Sequence, residues 1–378
     1  MVIMALDHTR DYFSYLRFQP EDLSHTYGTL FFTRVITHYC APVFSLLAGT
    51  GAFLATSRGK TIAQISRFFW TRGLWLVFLE LTFIGFAWSF QFPFGFAGVI
   101  WALGWCMVAM ALIVRLPIRW IAVLGIGMIV GHNLLDGVSP DSLGRFSAFW
   151  TILHTQGMVF IEQPTIGLFV MYPLIPWIGV MACGYAMGPL LLRPDRKKVI
   201  FRIGLVLTVA FFILRGINLY GNGTAGYPFS IGPWHTQPTI SLTLISFFNT
   251  LKYPPSLDYL LMTLGPALIV LSWFESVNAE KAWARFVLVY GRVPMFYYIL
   301  HIYLIHTMAI IAAFAFHQPA AWLWHGAMFT QAIPDGYGHR LPFIYLMWIT
   351  AVAVLYLPCR WYMNFKREHR DWGFLSYV

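Results

Sequence analysis

Nine windows of about 20 apolar residues, each long enough to cross roughly 30 Å of hydrocarbon, recur along this chain. They fall at residues 33–56, 73–91, 96–114, 118–132, 165–191, 199–220, 257–274, 293–316 and 342–359. Hydrocarbon holds no water to satisfy backbone N–H and C=O groups, so such windows must be helices that bond internally. Ahead of them, residues 1–6 are apolar and end at Asp7. As helix they cover only about 9 Å at 1.5 Å per residue. With neither a basic n-region nor an A-x-A site they are not a signal peptide; they read as the outer end of a first helix whose beginning is truncated. The expected fold is therefore all-α, a polytopic integral membrane bundle of about ten transmembrane helices, forming one domain over residues 1–378. Charged residues make up 11% of the chain, against about 25% in soluble domains, which excludes a string of soluble domains.

Lysine and arginine set the orientation. Alternate loops hold Arg58, Lys60, Arg67 and Arg72; Arg115 and Arg119; Arg193, Arg196, Lys197, Lys198 and Arg202; Lys281, Arg285 and Arg292; and Arg360, Lys366, Arg367 and Arg370. These are 18 of the 25 basic residues. The positive-inside rule puts these loops and the C-terminus in the cytoplasm. The net charge of +10 is thus a matter of topology, and no nucleic-acid partner is expected. His8, His25, His38, His132, His154, His235, His317, His325 and His339 all fall on or near the opposite, outer face. Chemistry is accordingly expected to face outward.

The first fifty residues hold three histidines, four acids and three arginines. Ionisable groups at a membrane boundary are expensive to keep, which makes the cluster a candidate active centre. In Leu6-Asp7-His8-Thr9-Arg10-Asp11-Tyr12, a carboxylate near an imidazole supplies the minimal general base. Asp7 and Asp11 share a helix face at i,i+4, with Arg10 at i+3 from Asp7. The bland alternative is a salt-bridge network anchoring the helix end. Arg34 and His38 are also i,i+4, and a membrane helix should turn them into the bundle. Arg34 then either neutralises a phosphate or carboxylate or snorkels to the interface.

Elsewhere, Glu80 lies some seven residues into an apolar window and needs a proton or a hydrogen bond to a neighbouring helix. His132 and Asp136, again i,i+4, form either a wall of the site or a helix C-cap. In Tyr172-Pro173-Leu174-Ile175-Pro176-Trp177 two prolines are expected to kink or break a span. Gly184-Tyr185-Ala186-Met187-Gly188 is a small-residue packing face. Asn249 and Lys252, in an outer loop before Pro254 and Pro255, are candidates to hold an anion or acyl oxygen. His301 falls near mid-membrane, where a proton relay or channel lining is a better reading than a metal, because His301 and His306 are i+5. The cysteines Cys40, Cys106, Cys183 and Cys359 have no paired spacing, so they form neither a disulfide framework nor a CxxC site. No metal is expected. Asn222-Gly223-Thr224 is an outer-side sequon, meaningful only in a glycosylating host.

Several of these runs carry a resemblance. Met4-Ala5-Leu6-Asp7-His8-Thr9-Arg10-Asp11, Thr37-His38-Tyr39-Cys40-Ala41-Pro42-Val43-Phe44, Leu47-Ala48-Gly49-Thr50, Tyr172-Pro173-Leu174-Ile175-Pro176-Trp177, Lys252-Tyr253-Pro254-Pro255-Ser256-Leu257 and Gly291-Arg292-Val293-Pro294 are similar to a bacterial family. Its members are membrane proteins related to the heparan-α-glucosaminide N-acetyltransferase catalytic domain, within the wider group of transmembrane acyltransferases. The resemblance runs from Met1 to about Cys359. It implies transfer of an acetyl group from cytosolic acetyl-CoA to a sugar amine across the membrane, with a central histidine between the first two membrane helices. By position that histidine is His25, in Ser24-His25-Thr26-Tyr27-Gly28, where the local sequence departs from the family's motif; His8 and His38 compete for the role.

The expectation is an acyltransferase of a bacterial cytoplasmic (inner) membrane, its site towards the outer face. His8, His38 or His25 acts as general base or acyl carrier, with Asp11 or Asp7 orienting it. Asp7, Arg10, Arg34, His132, Asn249, Lys252 and His301 bind substrate. Its expected partners are acetyl-CoA or another acyl-CoA, a glycan or amino-sugar acceptor and the lipid bilayer, with a homodimer as one assembly such a bundle can form. A rival reading is a proton-coupled transporter with Glu80, His301 and the broken helix lining its path. A third is a haem protein, which requires two histidines on facing helices at one depth.

Overall fold

The computed structural model describes residues 1–92, 95–162, 166–223, 231–324, 333–369 and 371–377 and is 72% helical. Among the described residues eight helices are long and apolar enough to cross a membrane: Gly28–Ser57, Ile62–Ser89, Ile118–Leu135, Leu174–Leu191, Arg196–Ile217, Leu257–Phe274, Pro294–Ala315 and Leu341–Glu368. Every apolar window falls on one of these or on the shorter helix Val99–Ile113. Residues 1–6 enter a further helix, Val2–Phe13. The chain is an all-α polytopic integral membrane protein.

One window starts differently from expectation. Residues 166–170 form a strand, β3 (Ile166–Val170), antiparallel to β2 (Gly157–Glu162) and parallel to β1 (Phe96–Ala97). Apolar content alone cannot separate a short buried strand from the start of a helix. The helix begins only at Leu174, with Pro173 as its N-cap and Pro176 in its first turn. The first-turn N–H groups have no partner within a helix, so proline there removes nothing. The two prolines therefore start this helix and do not break it. That corrects the expected interruption.

The chain forms two compact units. The first comprises Met1–Cys40, Leu81–Phe94 and Val277–Val378. Within it the helix Val2–Phe13 packs against Leu341–Glu368, Pro294–Ala315 and Gly28–His38. Its N-terminal half is short, but Ala5, Leu6, Tyr12 and Phe13 are all buried.

The second unit comprises Ala41–Glu80 and Gly95–Ser276. Its helices pair through small residues, as expected where lipid is as apolar as any side chain and close backbone approach drives association. A Cβ on Gly73 would lie 2.6 Å from the carbonyl of Gly104, and one on Gly104 equally close to that of Gly73. Gly125 and Gly179 are reciprocal in the same way at 2.9 Å, and Gly204 meets Gly265 at 2.8 Å. The predicted packing face holds as well: Gly184 abuts the backbone of Leu46 and Gly188 the ring of Phe53. Glu80, fully enclosed, begins a π-helical turn, Glu80–Ile84, inside its long helix. Its carboxyl accepts the backbone N–H of Gly98 at the start of Val99–Ile113. This is the hydrogen bond to a neighbouring helix that the sequence called for.

Candidate active site

The charged cluster near the N-terminus assembles in the first unit. On the helix Val2–Phe13, Asp7 and Arg10 pair at 3.0 Å across one turn, and Arg10 also reaches Asp11 at 2.6 Å. From Gly28–His38, Arg34 donates through Nη1 to Asp7 at 2.5 Å and through Nε to Glu21 at 2.8 Å. His38, one turn on and buried, brings Nε2 to 3.7 Å from the same Glu21 oxygen. Arg34 therefore does not snorkel: its side chain is 8% exposed and is clamped between two carboxylates. Burial alone would raise the Glu21 carboxyl, but the Arg34 guanidinium, helped by His38 and Arg10, holds it well below the usual carboxylate range. Three carboxylates thus face two guanidiniums, which leaves the network one negative charge in excess when His38 is neutral.

Glu21 escaped sequence reasoning, since it sits in the loop between the helices and 13 residues from Arg34. Its one signal was its place among the four acids of the first fifty residues.

His8, on the same helix, pairs with a histidine far along the chain. Its Nδ1 lies 2.7 Å from Nε2 of His301 on Pro294–Ala315. His301 Nδ1 in turn lies 3.0 Å from the carbonyl oxygen of Tyr297. A carbonyl only accepts, so His301 carries its proton on Nδ1, its Nε2 accepts from His8 Nδ1–H, and His8 Nε2 bears the lone pair. The imidazole of His8 is held by His301, while Asp7 and Asp11 are both engaged by arginines. The ring of Trp88 contacts His8 edge-on, with centroids 4.7 Å apart. A metal held between two imidazoles needs nitrogens about 4 Å apart, so the direct His8–His301 hydrogen bond does not suit haem ligation.

His306 plays a different part. Its Nδ1 and Nε2 approach the carbonyls of Ala87 at 2.8 Å and Leu323 at 2.9 Å, and its ring is stacked between Tyr12 and Phe90. It ties three segments together.

His25 lies apart. Its side chain is 62% exposed and its Nδ1 meets Asp22 at 2.7 Å. That contact holds the Asp22 carboxyl below its ordinary range.

The remaining candidates belong to the second unit. The backbone carbonyl of Asn249 accepts from Arg215, which also donates to Asn222 Oδ1 at 2.5 Å and reaches Asp258 at 3.5 Å. Asn222 is thereby buried, with its Oδ1 engaged; Thr224 lies outside the described residues, as does His325. Lys252 is buried with its ammonium 5.0 Å over the ring of Tyr253. His132 is the C-cap of Ile118–Gly131, as one reading of the sequence had it. The structure adds His154, whose Nε2 is 3.3 Å from Asp136 Oδ1. His132, Asp136 and His154 bring one ligand atom each to within 4.8 Å of one another, a spacing that can hold a metal ion.

No curated protein matches the chain significantly. No solved structure does either. The family model described as heparan-alpha-glucosaminide N-acetyltransferase, catalytic, matches residues 1–219, more than half of the 378-residue chain. That stretch contains the whole Asp7–Arg10–Asp11–Glu21–Arg34–His38 network and His8. The chain belongs to the heparan-alpha-glucosaminide N-acetyltransferase catalytic-domain family and is, in broad terms, an acetyltransferase-type membrane enzyme.

Proposed function

We propose that this protein moves an acetyl group from acetyl-CoA to an amine or hydroxyl of a sugar on the outer side of a bacterial cytoplasmic membrane, with His8 as general base. The single observation that carries the assignment is the relay from His8 Nδ1–H to His301 Nε2 and from His301 Nδ1–H to the Tyr297 carbonyl. It fixes the tautomer that leaves His8 Nε2 basic, the arrangement a general base requires. The acceptor nitrogen or oxygen attacks the thioester carbonyl and passes its proton to His8 Nε2. The new C–N or C–O bond forms, the C–S bond breaks, and the imidazolium returns the proton to the departing thiolate. His301 is a positioning residue.

The excess negative charge of the Asp7–Asp11–Glu21 carboxylates over Arg10 and Arg34 favours an amino sugar arriving as its cation, which releases one proton to water before its neutral nitrogen attacks and passes the second to His8. His38, against Glu21, serves to balance that charge. The lysine and arginine distribution supports a cytoplasmic C-terminus and an outward site. His25 is too exposed and too well paired with Asp22 to be our first choice, and we give Lys252 no catalytic role. The transporter reading loses one of its three supports, since the helix Leu174–Leu191 is continuous through Pro176.

The test uses purified protein in detergent, radiolabelled acetyl-CoA and a panel of glucosamine and cell-envelope glycans. Label should pass to a sugar in the parent protein and fail to do so in His8→Ala, which should remain folded by size exclusion. Full transfer by His8→Ala overturns the assignment of the base, and absence of transfer from acetyl-CoA to any acceptor overturns the reaction.

A further inference from the structure

We infer that the second unit holds a zinc-type cation on His132, Asp136 and His154, where it clips an otherwise weakly buried excursion of the chain to the helical bundle. His132 caps Ile118–Gly131 and opens the 3-10 turn His132–Leu135, Asp136 caps that turn, and His154 caps the helix Ser147–Leu153. Three helix ends therefore converge, and their ligand atoms lie within 4.8 Å of one another. Two imidazoles and one carboxylate suit zinc, which takes nitrogen and oxygen ligands at about 2.0–2.2 Å; calcium and magnesium prefer all-oxygen sets. Binding would draw together three ligand atoms that already lie within 4.8 Å of one another. Water or an outside ligand completes the shell.

Burial makes the cluster unusual for a helix cap. His132 and His154 are each only 1% exposed. The Pro255 carbonyl approaches the His132 ring, yet neither ring nitrogen completes a hydrogen bond among the described residues, nor does His154 Nδ1. Buried polar atoms without partners are rare and call for an explanation; a metal supplies one for His132, and His154 turns towards the cluster the Nε2 that lies 3.3 Å from Asp136 Oδ1.

The surroundings resemble those of a metal ligand set. Asn133 Nδ2 donates to Asp136 Oδ2 at 2.9 Å, leaving Oδ1 turned towards His154, and Asn133 Oδ1 accepts the Leu257 N–H at 2.9 Å. Such outer hydrogen bonds orient ligating carboxylates. The Trp150 ring contacts that of His154 with centroids 4.9 Å apart.

The fold gives the metal something to do. Between His132 and Thr151 no residue is buried, so little apolar packing anchors this excursion, and a His132–His154 clip closes it at its base. The expectation of no metal rested on His301, His306 and the cysteines; this cluster is not legible in the sequence, because only His132 and Asp136 are near neighbours and His154 comes from a separate helix.

Tag-free protein in detergent, stripped with chelator and re-supplied with zinc chloride, tests the inference by metal content, zinc titration and thermal unfolding. About one zinc per chain should remain after desalting, with a higher unfolding temperature than the stripped protein. His132→Ala and His154→Ala should each lose stoichiometric zinc. Asn133→Ala keeps all three ligands and should bind zinc about 10–100-fold more weakly, so it answers the question if the histidine variants do not fold. No retained zinc in the parent overturns the inference, and so does undiminished affinity in Asn133→Ala together with retained zinc in a folded histidine variant.

Discussion

His8 Nδ1 and His301 Nε2 stand 2.7 Å apart although 293 residues separate them in the chain. The contact joins the first helix to Pro294–Ala315 at a buried imidazole that is itself fixed by the Tyr297 carbonyl. If His301 positions the base, His301→Ala should lower kcat by about 10–100-fold with little change in KM for the acceptor. His8→Ala should lower kcat further, by about 10²–10⁴-fold, the usual worth of a general base. Steady-state kinetics on both variants, with the double variant no slower than His8→Ala alone, checks the coupling. A purely structural His301 would instead reduce the yield of folded enzyme and leave kcat per folded molecule unchanged.

The Arg34–Glu21 pair should control acid stability. The folded Glu21 carboxyl titrates below its ordinary value, so its stabilising effect is complete above the ordinary carboxylate range and fades as pH falls through that range towards the folded value. Glu21→Gln removes one of the two carboxylates on a buried guanidinium and should cost about 3 kcal/mol at pH 7. The variant should also lose less stability than the parent between pH 5 and 3. Unfolding temperature measured across that range is the check, and parallel curves for the two proteins would contradict it.

Much of the architecture was legible because it rests on hydropathy, which is local. Each apolar window contains a helix, two of them behind a short strand, and the small residues at Gly184 and Gly188 became a contact face. Asp7, Arg10, Asp11, Arg34 and His38 announced themselves because each is a polar residue in a setting that penalises it. Their partners were not legible. Glu21 lies in a loop, where acids are ordinary, and only the fold shows that it closes on Arg34 and His38. His301 was visible as a buried polar residue, but its pairing with His8 depends on how two distant helices pack. The prolines at 173 and 176 misled for a related reason: proline breaks a helix or begins one according to where the first turn falls, and that was set by the β3 strand just before it.

Close glycine contacts predict a sensitive helix crossing. At Gly104 an added Cβ would meet the Gly73 carbonyl, the Val77 side chain and the Val77 backbone nitrogen, all within 3.0 Å. Backbone cannot yield as a side chain can, so Gly104→Leu should force the two helices apart and destabilise by more than the usual 1–3 kcal/mol of overpacking. Gly127, where nothing lies within 4 Å, is the matched control. Gly127→Leu should leave the size-exclusion profile and unfolding temperature close to those of the parent, while Gly104→Leu should lower both the monodisperse yield and the unfolding temperature.

The topology is open to a direct chemical test. Lysine and arginine are retained on the cytoplasmic side during insertion, which puts the exposed Lys197 and Glu280 inside and the exposed Ser24, in the loop that carries Glu21 and His25, outside. None of the native cysteines is exposed: Cys106 and Cys359 are buried, and Cys40 and Cys183 are partly so. The parent protein should therefore give a low background with a membrane-impermeant maleimide. Ser24→Cys should label in intact cells, whereas Lys197→Cys and Glu280→Cys should label only after permeabilisation. The opposite pattern would place the carboxylate network on the cytoplasmic side. Acetyl-CoA and acceptor would then meet on one face, and the transmembrane step would drop out of the proposed reaction.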